Sequence, residues 1–460
     1  MKRTLSIFFI YMCIPFFISA QHSLSLEQAQ NYALQNSYEN RMAVLDVESA
    51  RSKVKETFAI GLPQINASGS FQHFLDIPVT VLPDFISPSV YSALVNEDLI
   101  PDDNVPEFGT FPAQFGTDYN VTGGIELQQL IFNGSYLIGL QATKAFVEVS
   151  KNQQEMTFAE VKQAVATAYY GVLVATENIR ILQENRTTLT ATLSDTRAYF
   201  EEGFVEEQDV EQLELTVSQL DAGIANAERQ LANLNDLFKM QIGMPISENV
   251  TLSDSLETLL EKYSNTNLSS KNLVPNLHPN YKIAESNLNL WGLNVKNEKA
   301  KYLPSLSAFG SYSQSAQRLE FDFFDSGGEW FPSSLWGINL SVPIFSSGMK
   351  KNIVKQAQVE EDKAEIILTQ VEQGLKMEYS NAYSNYLFSA EQYQIQKDNV
   401  ALAKRIRDKT QIKYNEGISS SFEYNQMQSQ YLQTESTYIE TVLNFLNARS
   451  ALDKASNNYE

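Results

Sequence analysis

Two periodicities divide the chain. Between Val161 and Phe200 apolar side chains recur at steps alternating four and three: Val161, Val165, Ala168, Val172, Ala175, Ile179, Leu182, Leu189, Leu193 and Phe200, with Arg186 and Thr196 filling the polar places. That is a sustained heptad phase. It resumes after Gly203 through Leu213, Val217, Leu220, Ile224, Ala227, Leu231, Leu234 and Phe238. A second seam, Met427, Tyr431, Thr434, Tyr438, Thr441, Phe445, Ala448 and Leu452, is richer in Tyr and Thr, as expected of helices that border water. The pattern predicts helical hairpins over 134–241 and 348–454, bending at Gly203 and Gly417, because glycine tolerates the positive φ of a helix end.

The other period is two. It predicts strand pairs over 64–76 with 118–130 and over 305–317 with 335–344. In the first strand Ile65, Ala67, Gly69 and Phe71 oppose Asn66, Ser68, Ser70 and Gln72; in the last, Trp336, Ile338, Leu340, Val342 and Ile344 oppose Gly337, Asn339 and Ser341. One apolar and one small-polar face on strands of this length fit an outer-membrane barrel with a wet interior. A soluble sheet with one solvated face is the other arrangement the pattern allows. Four strands cannot close a barrel, and open edges in lipid leave backbone groups unsatisfied at several kcal/mol each. Membrane-spanning strands here must therefore be shared between chains, eight in two copies or twelve in three. Between the first two strands, Pro78, Pro83, Pro88, Pro101, Pro106 and Pro112 mark a long exposed loop. The matching stretch from Gln317 to Ser334 carries Phe321, Phe323, Phe324, Trp330 and Phe331, either interfacial anchors or a small core of its own.

The landmarks occur twice. Leu62-Pro63 and Ile131-Phe132-Asn133-Gly134 are matched by Leu303-Pro304 and Ile344-Phe345-Ser346-Ser347-Gly348, and each Gly134 or Gly348 stands 69 residues before its turn glycine. A helix of that length is a rod of about 100 Å. The chain thus divides into a first repeat over 21–242, a joining segment over 243–277, a second repeat over 278–455 and a tail over 456–460.

Residues 1–20 read as a secretory signal, with Lys2 and Arg3 before the apolar run Leu5 to Ile18 and Ser19-Ala20 at its end. The chain's one cysteine, Cys13, lies inside it, so the mature chain is expected to lack disulfides and thiolate sites. The formal net charge is -21, and removing Lys2 and Arg3 makes it -23, which disfavours nucleic acid as a partner. His22, His73 and His278 are scattered, and zinc spacings, phosphate loops and nucleophile elbows are missing, so no enzyme activity, cofactor or metal is expected.

The order of helix, Leu-Pro, strand, loop, strand, Phe-x-x-Gly, long helix, glycine turn and helix, given twice, resembles the TolC-like outer membrane efflux protein family over nearly the whole mature chain. The tips Phe200-Glu201-Glu202-Gly203-Phe204-Val205 and Tyr414-Asn415-Glu416-Gly417-Ile418 complete the likeness. The resemblance implies a mixed fold: a long α-helical coiled-coil barrel plus a transmembrane β-barrel shared between protomers, four strands per chain and twelve in a homotrimer, with internal duplication. It further implies a cell outer membrane location with a long periplasmic extension, in contact with outer membrane lipid. The segment 243–277 would form an equatorial collar, and His278-Pro279-Asn280 a helix opening. By resemblance, Gly203, Phe204, Val205, Gly417 and Ile418 would dock a periplasmic adaptor, and an inner-membrane pump of the RND or ABC type would drive transport. Glu423 and Gln426 occupy the positions of the family's pore constriction, a carboxylate ring reduced here to one. Asp209 matches the acidic half of the closing latch, but Ser419 stands where its basic partner is expected, so another contact must hold the closed tip. Glu201, Glu202, Glu206, Glu207 and Asp209 form an acidic cluster, either a solvated helix start or a selectivity element. The expected function is a passive exit duct for small molecules. The rival expectations are a duct for type I protein secretion and a non-conducting structural coiled coil of the periplasm.

Overall fold

The computed structural model describes residues 22–101, 107, 109–264, 273–325 and 327–457. The expected signal peptide with Cys13, part of the joining segment (265–272) and the last three residues of the tail lie outside them. In chain order the elements are β1 (His22–Leu24), α1 (Leu26–Asn36), α2 (Tyr38–Ala59), β2 (Gln64–His73), β3 (Val79–Pro83), α3 (Ile86–Asn96), β4 (Thr110–Gln114), β5 (Tyr119–Asn133) and α4 (Gly134–Glu201). There follow α5 (Glu207–Ile242), β6 (Val250–Leu252), α6 (Leu256–Ser264), α7 (Pro279–Ala300), β7 (Ser305–Arg318), β8 (Phe331–Ser341), α8 (Met349–Asn415) and α9 (Ser421–Ala455). They group into two units, one made of Lys53–Thr143 with Leu293–Gln358, the other of the remaining described residues.

The first unit holds a four-stranded antiparallel sheet in the order β2-β5-β7-β8. Helices α2 and α7 stop just short of Leu62-Pro63 and Leu303-Pro304, and β2 and β7 begin on the residue after each proline. Proline pushes its predecessor out of the helical region and sits well at a strand start. The register sorts the two faces. Ile65, Leu127, Gly310 and Trp336 are partners across all four strands, as are Ala67, Ile125 and Tyr312 across three. The other face aligns Asn66, Glu126 and Ser311, then Ser68, Gly124, Ser313 and Ser333. Both outer strands, β2 and β8, pair on one side only.

The strand ends differ from the expected ones. The first strand stops at His73 rather than 76, where Phe74 N–H bonds Asp118 O at 2.8 Å and closes the ladder. The second covers Tyr119–Asn133 rather than 118–130, because a bulge between Leu130 and Phe132 restores pairing as far as Asn133 with Ser305. The third runs to Arg318 instead of 317. The fourth covers Phe331–Ser341 instead of 335–344: it begins opposite Ser315 and ends before Pro343, which has no N–H to give. The Pro-rich loop carries structure of its own, the β3–β4 ribbon and α3, with Val79, Val81, Phe85 and Leu99 left exposed. In the shorter loop Phe321 packs on Phe71, Tyr119 and Phe323 with ring centroids 5.8, 5.9 and 5.7 Å apart, a small core that includes strand residues.

The second unit is helical. Its main core joins Val161, Val165, Tyr169 and Val172 of α4 to Phe238 and Ile242 of α5, Phe445 and Leu446 of α9, and Leu259, Leu260 and Tyr263 of α6. The described start of the joining segment is folded into it, since β6 pairs in parallel with β1. Asp254 Oδ2 accepts from Tyr169 OH at 2.9 Å and from Leu26 N at 2.8 Å. His278 is buried, and its Nδ1 accepts from Asn280 N at 3.2 Å, capping α7. A second core seals the outer end of the hairpins with Leu189, Leu193, Val210, Leu213, Leu220, Tyr414 and Tyr424.

Candidate functional site

Each hairpin turns with the same hydrogen-bond pattern. Phe204 N donates to Tyr199 O and Gly203 N to Phe200 O, both at 2.9 Å; Ile418 N donates to Lys413 O at 2.8 Å and Gly417 N to Tyr414 O at 3.0 Å. These are paired Schellman closures, with the left-handed residue at Gly203 (φ +79°) and Gly417 (φ +70°). The closure throws the next apolar residue outward: Phe204 is 78% and Ile418 76% exposed, and Phe422 is exposed beside them. Val205 is half-buried. The expected docking residues therefore lie in two matching turns of the helical unit, presenting apolar side chains to solvent.

The expected gate residues have local partners. Asp209 Oδ2 accepts from Glu206 N at 3.0 Å in a capping box that starts α5, and Asp209 Oδ1 accepts from the Ser421 hydroxyl of the second hairpin. Glu423 accepts from the buried Ser419 hydroxyl at 2.6 Å, while Ser420 Oγ caps α9 by accepting Glu423 N at 3.2 Å. Thus Ser419 satisfies Glu423 on its own helix turn, and Ser421 bridges to Asp209. Gln426 is exposed and apart from these contacts. Of the acidic cluster, Glu206 and Asp209 are used as helix-start groups; Glu201, Glu202 and Glu207 are exposed.

Behind the tips runs a ladder of buried polar contacts that the heptad reading missed. Thr196 and Tyr414 hydroxyls lie 3.0 Å apart, Gln411 Nε2 donates to Thr192 Oγ1 at 3.1 Å, and the Tyr414 and Tyr424 rings stack at 5.4 Å. Asn185 Nδ2 donates to Glu435 Oε2 at 2.6 Å, the Tyr431 hydroxyl donates to Glu435 Oε1, and Arg407 lies 4.5 Å from the Tyr431 ring centroid. Arg407 NH1 also reaches Gln428 Oε1 at 3.3 Å. Burial pushes the Glu435 carboxyl upward from its ordinary range, against the hydrogen bonds of Tyr431 and Asn185 and the charge of Arg407. Burial raises Tyr431 as well, reinforced by Glu435. Every one of these contacts except Arg407–Gln428, Tyr414–Tyr424 and those of Tyr431 joins α4 to the second hairpin.

The signal for the ladder was present in the sequence, one residue away. The expected seam included Arg186, which is exposed and paired with Asp221, whereas its neighbour Asn185 is buried. In α9 the seam runs Tyr424, Gln428, Tyr431, Glu435, Val442, Phe445, Arg449 and Leu452, so the expected Met427, Thr434, Thr441 and Ala448 each sit one residue early. Among the described residues no group of three or more His, Cys, Asp or Glu is placed to hold a metal ion, and no helix is long and apolar enough to cross a membrane.

Residues 276–458 match the protein-family model described as Outer membrane efflux protein. The chain is 24% identical over 248 residues to the outer membrane protein TolC of Vibrio cholerae, covering 52% of this chain and 54% of that one. It is 24% identical over 299 residues to the outer membrane efflux protein BepC of Brucella suis, covering 64% and 62%. The chain thus spans little more than half the length of these relatives. Among solved structures, the CmeC outer membrane channel of Campylobacter jejuni superposes with a TM-score of 0.68 at 18% identity over 95% of this chain and 87% of its own. A CusC structure gives 0.67 at 16% identity, over 95% and 93%.

Proposed function

We propose, from the chain's membership of the TolC-like outer membrane efflux protein family and hence its place in the outer membrane, that it is the exit duct of a tripartite efflux system for small molecules. The observation that carries this reading is the sheet: one apolar face, one small-polar face and two strands with free edges. In lipid an open edge is not tolerated, so β8 of one copy pairs with β2 of the next until the barrel closes. Twelve strands from three chains enclose a wet lumen, and the long hairpins belong to the periplasm. The duct does no chemistry of its own. An inner-membrane pump, of the RND or ABC type, supplies the energy through a periplasmic adaptor.

The hairpin turns suit the adaptor's role. Phe204 and Ile418 are apolar side chains held outward by backbone closures, at a place where a monomer gains nothing from exposing them. The Asp209–Ser421 bridge supports a closed tip held by a charge-assisted hydrogen bond of about 1.5–3 kcal/mol, light enough for a docked partner to undo. Three copies of Glu423 would face one another around the entrance.

Accumulation of a cationic fluorescent dye tests the reading. Cells lacking the gene should retain several-fold more dye, the intact gene should restore export, and the Phe204→Asp variant should insert as trimers yet fail to restore it. Equal retention with and without the gene would turn attention to protein export, and a comparison of secreted proteins would follow.

A further inference from the structure

The polar face of the sheet bears a single charge. Along β2, β5, β7 and β8 that face is built from Gln, Asn, Ser, Thr and Gly, with Leu130, Phe309, Leu335 and Phe331 as apolar exceptions, and Glu126 is its one ionisable side chain. Glu126 stands mid-strand, opposite Asn66 and Ser311, exposed, with Gln128 Nε2 donating to its Oε1 at 2.9 Å. No lysine or arginine occurs between Lys55 and Lys144. The nearest strand cation, Arg318, belongs by register to the apolar face, and it is paired with Asp322 at 3.2 Å and bonded to Glu329 O at 2.9 Å.

We propose that Glu126 is a charge-selecting residue of the barrel section, which therefore passes cationic and neutral solutes in preference to anions. This rests on the duct reading, because only a closed barrel turns the polar face into a lumen. A solitary carboxylate among neutral hydrogen-bonding groups attracts cations from solution, and no neighbouring positive group cancels it. Distance limits the effect. Each chain contributes four strands about 4.8 Å apart, so neighbouring copies of Glu126 stand about 19 Å or more apart along the wall. That is roughly two Debye lengths at 0.1 M salt and less than one at 0.01 M, where the length is about 30 Å. The selection is thus salt-dependent: weak at high ionic strength and strong at low, where the three fields overlap across the lumen.

The test is the reversal potential of purified trimers in planar bilayers under a KCl gradient, at high and low mean salt. It is run in the native chain and in a Glu423→Gln background, so that the tip does not mask the barrel. The native protein should prefer potassium at low salt. Glu126→Gln should lower the potassium-to-chloride permeability ratio about threefold there, and little at 1 M, following the screening length. Glu126→Lys should move the ratio toward or past unity. Should the native protein conduct while Glu126→Lys leaves the low-salt reversal potential unchanged in both backgrounds, the proposal falls and the duct reading stands. A native protein that conducts nothing removes the duct reading, and this proposal with it.

Discussion

Glu435 shows most plainly what a single residue adds. Its carboxylate lies in the seam between α4 and α9, held by Asn185 and Tyr431, and burial raises its folded pKa above the ordinary 4.5. A raised carboxyl binds its proton more tightly folded than unfolded. Its contribution is therefore fully present below pH 4.5 and is lost as the pH rises through the folded value. Glu435→Gln keeps a carbonyl for Asn185 and removes the titration. The variant should unfold at higher urea than the native chain at neutral pH, and the gap should close as the pH falls below 4.5. A gap independent of pH would remove Glu435 as the titrating group. This residue also explains where the sequence was hard to read. Every second place of the α9 seam holds Gln428, Glu435 or Arg449, with Val442 the apolar one, while Met427, Thr434, Thr441 and Ala448 lie next to them. Hydrophobicity alone selects the wrong neighbour. The tyrosines and Phe445, which are apolar enough to keep the phase, were legible: Tyr431, Phe445 and Leu452 are all buried.

At the scale of elements, the landmarks with a local cause were the easiest to find. Leu-Pro fixed the strand entries, and the turn glycines fixed the hairpin bends, because each acts through its own backbone. The strand ends depended on partners. The ladder ends where Phe74 bonds Asp118 O, which leaves residues 75 and 76 beyond it, and a bulge that no periodicity announces lengthened β5. The same distinction gives a prediction for the tips. A Cβ at Gly203 or Gly417 would meet nothing within 4 Å, so the cost of alanine is purely conformational. At φ of +79° and +70° it amounts to about 1–2 kcal/mol per site. Amide exchange in Gly203→Ala and Gly417→Ala should accelerate within the turns and the adjoining helix ends, while the core around Leu189 and Leu213 keeps its protection. Unchanged exchange at both turns would show that the closures do not depend on glycine.

For the whole molecule the decisive feature is what one chain leaves unfinished. The strand order β2-β5-β7-β8 ends in two free edges, and the helices that adjoin those edges in sequence, α2 and α8, expose Met42 and Leu45 on one and Ile366, Ile367 and Met377 on the other. In the single chain these apolar side chains face solvent. In the ring of copies proposed above, a single repeated contact would cover both sets. The contact can be trapped covalently, since the sole cysteine, Cys13, falls in the expected signal segment. With Ser68→Cys on the polar face of β2, a second cysteine is walked along β8 from 333 to 339. Cross-strand Cβ atoms on one face stand about 4.5–5.5 Å apart, near the span of a disulfide, and residues on opposite faces do not meet. Cysteines at one or more of 333, 335, 337 and 339 should therefore oxidise into a ladder of two and three chains, while 334, 336 and 338 yield monomers. The ladder should end at three, because the third bond closes the ring and leaves no free edge. Longer products would mean an open, head-to-tail assembly, and a pattern without period two would mean that β2 and β8 of neighbouring copies are not paired strands.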